Sequence, residues 1–184
     1  MESLNLLGIV GSLRQKSYNK GLMKAAQELL PTGVTLTVAD IGALPLFNED
    51  LESNVPVAVQ TFKQQVSAAD AILIATPEYN YSMPGVLKNA LDWASRPYGD
   101  NSFDSKPAAL MGASVGMLGT ARAQYHLRQT LVFLNMHPLN RPEIMVSSAH
   151  KNFDAEGNLT NEQTKQFITQ MLQALVEWTH RLSK

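Results

Sequence analysis

The sequence contains no cysteine among its 184 residues. A chain without thiols forms no disulfide framework, uses no thiol nucleophile, and holds neither a thiolate zinc site nor an iron–sulfur cluster. Any redox chemistry that this chain performs must therefore be carried by a bound cofactor.

Charged residues are also scarce, at 17% of the chain against about 25% in an average domain, while 45% of the residues are hydrophobic. This composition favours an oligomer that hides part of its surface, with a well-packed monomer as the simpler alternative. The net charge is −1 and no basic block occurs, so neither nucleic acid nor an anionic membrane is expected as a partner. We expect a small-molecule partner instead.

Long hydrophobic runs are absent as well. No segment approaches the ~20 apolar residues of a membrane span, and Glu2 stands where a signal peptide carries lysine or arginine. We therefore expect a cytoplasmic protein. The length suits one α/β domain over residues 1–184, since single domains typically run to about 100–200 residues.

Short apolar runs and helical stripes alternate along the sequence. Runs too short for helices and bounded by turn residues predict five buried strands, at 4–10, 34–38, 71–75, 107–113 and 143–146. Amphipathic spacing predicts helices at 19–30 and 56–69, a third beginning near Pro84, a fourth carrying Leu127, Leu131 and Leu134, and a fifth near the end. We predict that Thr160 and Gln163 form a capping box at the start of the fifth helix, whose apolar stripe reaches Leu182.

This alternation predicts a parallel sheet with helices on both faces, that is, a doubly wound α/β domain with a five-stranded sheet. In such sheets, ligands bind beyond the carboxyl ends of the strands, where the winding reverses. Chemistry is therefore expected in the loops that follow the first, third and fourth strands.

The loop after the first strand, GSLRQKSYN at 11–19, leads directly into a helix. Ser12, Ser17 and Asn19 supply side-chain hydrogen bonds. Arg14 supplies positive charge, and Gly11 permits a tight turn. Ser17 or Asn19 alone is more simply a helix cap, but the whole combination indicates a phosphate site at a helix N-terminus.

The same loop lacks two nucleotide fingerprints. Neither G-x-G-x-x-G nor G-x-x-x-x-G-K-[ST] is present. A mononucleotide such as FMN therefore fits this loop better than a tightly held dinucleotide.

The loops after the third and fourth strands carry aromatic residues and glycines. TPEYNYSMPG at 76–85 suits the packing of a flat heterocycle, with an ordinary polar loop in which Tyr79 or Tyr81 is half-buried as the alternative. GASVGMLGT at 112–120 contains glycines that permit close backbone approach to a ligand. It also matches G-x-S-x-G, the nucleophile motif of serine hydrolases.

Together the three loops carry a family resemblance. GSLRQKSYN at 11–19, TPEYNYSMPGVLKNALDW at 76–93 and ASVGMLGTARAQYHLRQ at 113–129 resemble the signature stretches of the NADPH-dependent FMN reductases, in the same order and spacing. Within that family they resemble the bacterial quinone, azo and chromate reductase branch. The resemblance implies a flavodoxin-like fold, FMN as cofactor, and NADPH or NADH as hydride donor.

The resemblance also implies roles for the loop residues. The FMN phosphate would be held by Ser12, Arg14, Ser17 and Asn19, in a loop that also brings Gly11, Leu13 and Tyr18 to the cofactor. The isoalloxazine ring would be lined by Pro77, Glu78, Tyr79, Asn80 and Tyr81, with Ser114 and Gly116 near its pyrimidine end. Many members of the family carry a glycine where Thr120 stands, and this departure bears on how closely that loop approaches the ring.

By the same resemblance, NAD(P)H would reduce the flavin at N5 and leave before a quinone, azo compound, flavin or chromate takes the electrons. This sequence of events predicts ping-pong kinetics. Since the chemistry lies on the flavin, no side chain is assigned as a catalytic acid or base. The family forms dimers or tetramers in which a neighbouring subunit walls the flavin; Arg122, Tyr125 and Glu143 are candidates for joining subunits, with plain surface solvation as the alternative.

Two other functions are alternatives. A serine hydrolase would use Ser114 with Asp154 and His180, although His180 falls within an amphipathic helix. A non-enzymatic flavodoxin-type electron carrier would share the fold and the cofactor, but a carrier that docks basic partners is expected to be strongly acidic, unlike this chain. The four histidines show no metal-ligand spacing, so we predict no metal site.

Overall fold

The computed structural model describes residues 3–183, so Glu2, used above to predict the compartment, lies outside the described residues. The strands are β1 (Leu4–Val10), β2 (Val34–Val38), β3 (Ala71–Ala75), β4 (Pro107–Ala113), β5 (His137–Pro138) and β6 (Ile144–Val146). The helices are α1 (Tyr18–Glu28), α2 (Val57–Ala68), α3 (Gly85–Ala94), α4 (Ala121–Phe133) and α5 (Glu162–Leu182).

The strands form one parallel sheet in the order β2-β1-β3-β4-β5, with β6 also paired to β4. The chain moves from β1 to β2 in one direction and from β3 to β5 in the other, so the winding reverses between β1 and β3. The loops after β1, β3 and β4 leave the same edge of the sheet. The predicted flavodoxin-like, doubly wound fold is confirmed.

Side chains of the strands alternate between two cores, one on each face of the sheet. Leu7 and Ile72 pack in a cluster with α2, α3 and α4, whereas Leu6 and Leu73 pack in a cluster with α1 and α5. Because successive residues of a strand point to opposite faces, a strand that is covered on both sides must be apolar throughout. This requirement explains the continuous apolar runs in the sequence.

The fifth position of the sheet differs from the prediction of a single strand at 143–146. It is filled by two short strands: β5 pairs with Pro107 and Ala108, and β6 pairs with the segment from Met111 to Ala113. Pro138 and Pro142 lack the backbone N–H that a ladder requires, so the chain leaves the sheet between the two pieces.

The start of α5 also differs from the prediction. Asn161, and not Thr160, is its N-cap, and the Asn161 side chain accepts the backbone N–H of Thr164 at 2.8 Å. The Thr160 hydroxyl is instead committed to the backbone oxygen of Asn152 at 3.1 Å. At the other end, Leu182 is 38% exposed, so the buried stripe stops before it. No helix of the described chain, α5 included, combines the length and apolarity needed to cross a membrane.

Candidate functional site

The loop after β1 turns into α1 through two buried serines. Ser17 is the N-cap of α1, and its Oγ accepts the backbone N–H of Asn19 at 3.3 Å. Ser12 Oγ accepts the backbone N–H of Arg14 at 3.4 Å. Each hydroxyl keeps its own hydrogen to donate to a ligand. The cap places this loop at the positive end of the helix dipole, which favours an anion.

Gly11 owes its identity to close packing beneath the next loop. A Cβ on Gly11 would lie 3.1 Å from Thr76 Oγ1 and 3.3 Å from Leu87 Cδ2, tighter than ordinary van der Waals contact. Its φ is not in the left-handed region. A larger residue would therefore push the loops after β1 and β3 apart.

Asn19 joins the first loop to the end of β4. Its Nδ2 donates to the backbone oxygen of Ala113 at 3.0 Å, and its Oδ1 accepts the Ala113 N–H at 2.9 Å. The side chain is buried. Both polar atoms of the Asn19 side chain are thus bonded to the backbone of Ala113, where β4 ends and the third loop begins. Direct contact of Asn19 with a phosphate stays a prediction.

A tight hairpin forms the middle of the second loop. Tyr79 and Ser82 exchange backbone hydrogen bonds at 3.0 Å. Between them, Asn80 and Tyr81 have φ values of 49° and 69°, the left-handed pair that a two-residue turn requires. For a tyrosine this conformation costs about 1–2 kcal/mol, and such strain persists only where surrounding contacts hold it.

The Glu78 side chain points from this loop toward α4. Its Oε2 accepts the backbone N–H groups of Arg122 at 3.0 Å and Ala123 at 3.2 Å, and its Oε1 pairs with the Arg122 guanidinium. The side chain is only 6% exposed. Since its carboxylate is committed to α4, the backbone of Glu78 is the part that is left to line a ring.

The third loop is braced by the segment that follows β6. The backbone N–H of Ser114 donates to the backbone oxygen of Val146 at 3.0 Å. The backbone oxygen of Ser114 accepts the N–H of Ala149, also at 3.0 Å. The Gly116 oxygen accepts the N–H of Ser148 at 3.3 Å. These bonds hold the backbone of the loop from the side of β6.

Thr120 points into the fold. It is fully buried, and its Oγ1 accepts a hydrogen bond from Gln124 Nε2 at 2.8 Å. A Cβ on Gly112 would lie 2.0 Å from that same Oγ1, so Thr120 fills the space that Gly112 leaves. The threonine at this position therefore supports the loop from below and adds no bulk on its outer side.

The three loops surround one cavity of about 200 Å³. Of the predicted site residues, those that line it are Ser12, Arg14, Ser17, Tyr18, Asn19, Pro77, Glu78, Tyr79 and Ser114. Five predicted residues, Gly11, Leu13, Asn80, Tyr81 and Gly116, belong to the same loops but do not line this cavity. Ala113 and Val115 line it and were not predicted, because small apolar residues carry no chemical signal beyond flanking Ser114.

Leu13 lies on the far side of the first loop, in a second cavity of about 390 Å³ shared with Lys20, Lys24 and Asp40. Two charged side chains outside the three loops have shifted pKa values. Burial lowers the pKa of Lys106, opposed by nearby Asp70, at the end of β4 away from the three loops. Hydrogen bonds from Asn158 lower the pKa of Asp154. The cavity between the three loops offers the hydroxyls of Ser12 and Ser17 as hydrogen-bond donors and the Arg14 guanidinium as positive charge.

The serine-hydrolase geometry is not assembled in the described residues. Ser114 Oγ accepts the N–H of Gly116 at 3.2 Å, and Asp154 binds Asn158 instead of a histidine. Ser114 also lacks the left-handed backbone found at Asn80 and Tyr81, whereas a nucleophile elbow is a strained turn. Within residues 3–183, no group of three or more His, Asp or Glu side chains is placed to hold a metal ion.

Comparison with known proteins agrees with this geometry. A profile of the NADPH-dependent FMN reductases matches residues 4–151. An NAD(P)H-dependent FMN reductase of Pseudomonas aeruginosa is 56% identical over 182 residues, covering 98% of each chain. A 2-hydroxy-1,4-benzoquinone reductase of a Burkholderia species is 44% identical over 176 residues, covering 96% of each chain.

Among solved structures, the flavoenzyme NAD(P)H:(acceptor) oxidoreductase FerB of Paracoccus denitrificans matches with a TM-score of 0.89 at 39% identity, covering 97% of this chain and 98% of that one. The sequence profile spans all three loops, and the structural match spans nearly the whole sheet and its helices. The chain belongs to the NADPH-dependent FMN reductase family.

Proposed function

We propose that this chain is an NAD(P)H-dependent oxidoreductase that holds FMN between its three loops and passes electrons to quinone-like small molecules. The observation that carries the proposal is the convergence of the three loops on one cavity. Family membership supports FMN and NAD(P)H, and relatives named as quinone reductases support the acceptor class.

The residues at the cavity fit a flavin mononucleotide. Its phosphate would meet the hydroxyls of Ser12 and Ser17, the Arg14 guanidinium and the first-turn N–H groups of α1. The hairpin after β3 would line the ring, with Ser114 and Gly116 toward its pyrimidine end. Bound FMN would supply the hydride acceptance and electron transfer that side chains do not supply.

The chain's own task is to bind and orient. Backbone groups of the second and third loops would fix the ring edge, while the outer side of the cavity would stay accessible to one flat molecule at a time. Donor and acceptor would therefore use the same place in turn, which gives ping-pong kinetics. Quinones are the acceptors we propose first; azo compounds, free flavin and chromate are proposed as further acceptors.

A second copy of the chain is proposed to cover the outer side of the third loop. Val115, Met117 and Leu118 are 61%, 90% and 56% exposed, and an exposed apolar stretch of this kind is typical of an interface. We propose a homodimer or homotetramer in the cytoplasm. Within one chain, Tyr125 already donates to Glu143 at 3.2 Å, so joining subunits through this pair would require exchange of that bond. Light scattering that gives a monomer at micromolar concentration would contradict the assembly.

The experiment that tests the function is an absorbance titration of the purified protein with NADPH and NADH under anaerobic conditions. Flavin bands that bleach on addition of donor, and recover with a quinone, are the expected result. Bands that persist would favour the electron-carrier alternative. Protein that holds no flavin and takes up no added FMN would contradict the proposed cavity. Initial rates at several quinone concentrations should then give parallel double-reciprocal lines.

A further inference from the structure

We infer that Glu78 is a positioning residue, whose buried carboxylate fastens the ring-side hairpin (residues 77–82) to the first turn of α4. The inference rests on the proposed FMN site, and it adds how that site keeps its shape. Glu78 would act through the backbone of its own loop, without touching the reacting atoms.

The first argument is that α4 lacks a local cap. In the described structure Thr120, its N-cap, makes no capping hydrogen bond with its side chain, because that hydroxyl is engaged by Gln124. The first N–H groups of a helix need a partner, and a carboxylate is the favoured one at this positive end. Glu78 takes two of these N–H groups, those of Arg122 and Ala123, from 44 and 45 residues away in sequence.

The second argument is that the same helix face holds the hairpin at two further points. The Arg122 guanidinium pairs with Glu78 and lies 3.7 Å from the centroid of the Tyr81 ring. One turn later, His126 Nδ1 shares a hydrogen bond with Ser82 Oγ at 2.8 Å. The ring-side hairpin is thereby attached to α4 at its beginning, its tip and its end.

The third argument is the hairpin's conformation. Asn80 and Tyr81 both have left-handed backbone, yet neither is glycine. Tyr81 is 71% exposed, so burial of its ring does not hold it in place. The Tyr81 ring is held by its contact with the Arg122 guanidinium, and Arg122 is itself held by the carboxylate of Glu78. Binding a heterocycle edge demands backbone groups placed to within a fraction of an ångström, and such precision needs supporting contacts of this kind.

The test is Glu78→Gln, which keeps the size of the side chain but removes its charge. Its one amide oxygen can replace the carboxylate oxygen that accepts from Arg122 and Ala123, and its NH2 group then faces the Arg122 guanidinium, donor against donor. We expect the Kd for FMN, measured by quenching of flavin fluorescence, to rise about 10-fold, the effect of losing one hydrogen bond between charged groups. With FMN at saturation, the midpoint potential and visible circular dichroism of the flavin should also differ from those of the wild type. The matched control is Glu162→Gln, which removes a first-turn carboxylate of α5 that pairs with Lys165, and it should leave all three quantities unchanged.

Two outcomes would overturn the inference alone. One is a Glu78→Gln protein with a lower melting temperature but, at saturating FMN, the wild-type potential and dichroism, since that result assigns Glu78 to folding only. The other is wild-type behaviour throughout. If Glu78→Gln does not fold, Arg122→Met serves in its place, because it keeps the helix cap while removing the ion pair and the cation over Tyr81; flavin properties identical to wild type would then overturn the inference. A wild-type protein that takes up no FMN would overturn the proposed function, and the inference with it.

Discussion

The loop after β1 and the ring-side hairpin serve one cavity, yet they are held in place differently. In the first loop, Ser12 and Ser17 accept N–H groups only two residues ahead. In the hairpin, Glu78 and Ser82 find their partners on α4, 44 residues further along the chain. A phosphate-type loop can thus be specified by a few consecutive residues, whereas the ring side takes shape only after distant segments of the sheet have assembled.

The largest effect is expected where the second and third loops meet, at Gly112. A Cβ there would lie 2.4 Å from the backbone oxygen of Thr76 and 2.0 Å from Thr120 Oγ1. Because backbone cannot yield as a flexible side chain does, Gly112→Ala should lower the free energy of unfolding by about 3 kcal/mol, measured by urea denaturation. Gly85→Ala is the control, since among the described residues nothing lies within 4 Å of its Cβ position. Equal urea midpoints for the two variants would contradict the close packing of Gly112 against Thr76 and Thr120.

Asn19→Ala is expected to have the next largest effect, because it cuts the long-range tie of an otherwise local loop. It leaves the buried N–H and C=O of Ala113 without their partner, at a cost of about 2 kcal/mol. Thermal and urea unfolding would measure the loss. Asn54→Ala, at an exposed position, should stay within about 0.5 kcal/mol of wild type, and a loss that small for Asn19 would mean that the bond pair is not important.

Ser17→Ala should cost less, about 1 kcal/mol, as is typical for loss of an N-cap. It should also weaken FMN binding in fluorescence titration, since it removes a hydroxyl at the proposed phosphate site. Ser17→Thr keeps the hydroxyl and is the control. A stability loss as large as that of Asn19→Ala would break the distinction between local and long-range support.

The smallest effect is expected for Asn80→Gly. Asparagine already tolerates left-handed backbone, so glycine should change the unfolding free energy by less than about 0.5 kcal/mol. Asn80→Val places a β-branched residue at the same φ and should destabilise the protein by about 1–3 kcal/mol, the usual strain of left-handed backbone in such a residue. Equal stabilities of the glycine and valine variants would show that the turn relaxes freely.

Much of the fold was predictable because its signals are local. The bounds of β1 to β4 follow from apolar runs that end at glycine, proline or polar residues. The failures came from longer-range effects. Thr160 has the right identity for a cap, but its hydroxyl is occupied by Asn152 in the preceding loop. The split of the last strand depends on pairing with different parts of β4, which periodicity does not report.

The candidate site divides along the same line. Ser17 as a cap is readable from its place before a helix, and the convergence of the loops follows from the winding of the sheet. The direction of the Glu78 side chain cannot be predicted from the sequence. It depends on the Thr120 hydroxyl, which is bonded to Gln124 and does not cap α4. The sequence thus predicts which loops converge on the cavity, while the contacts of individual side chains depend on distant elements.

The divided last strand has a consequence for self-association. That strand position is an edge of the sheet, and an unpaired edge is where another chain can add a strand and begin aggregation. Here the edge offers two residues of β5 and three of β6, with prolines at positions 138 and 142. An incoming strand would lose register with its template at each interruption. At this edge of the sheet, addition of a strand from a second copy is therefore disfavoured.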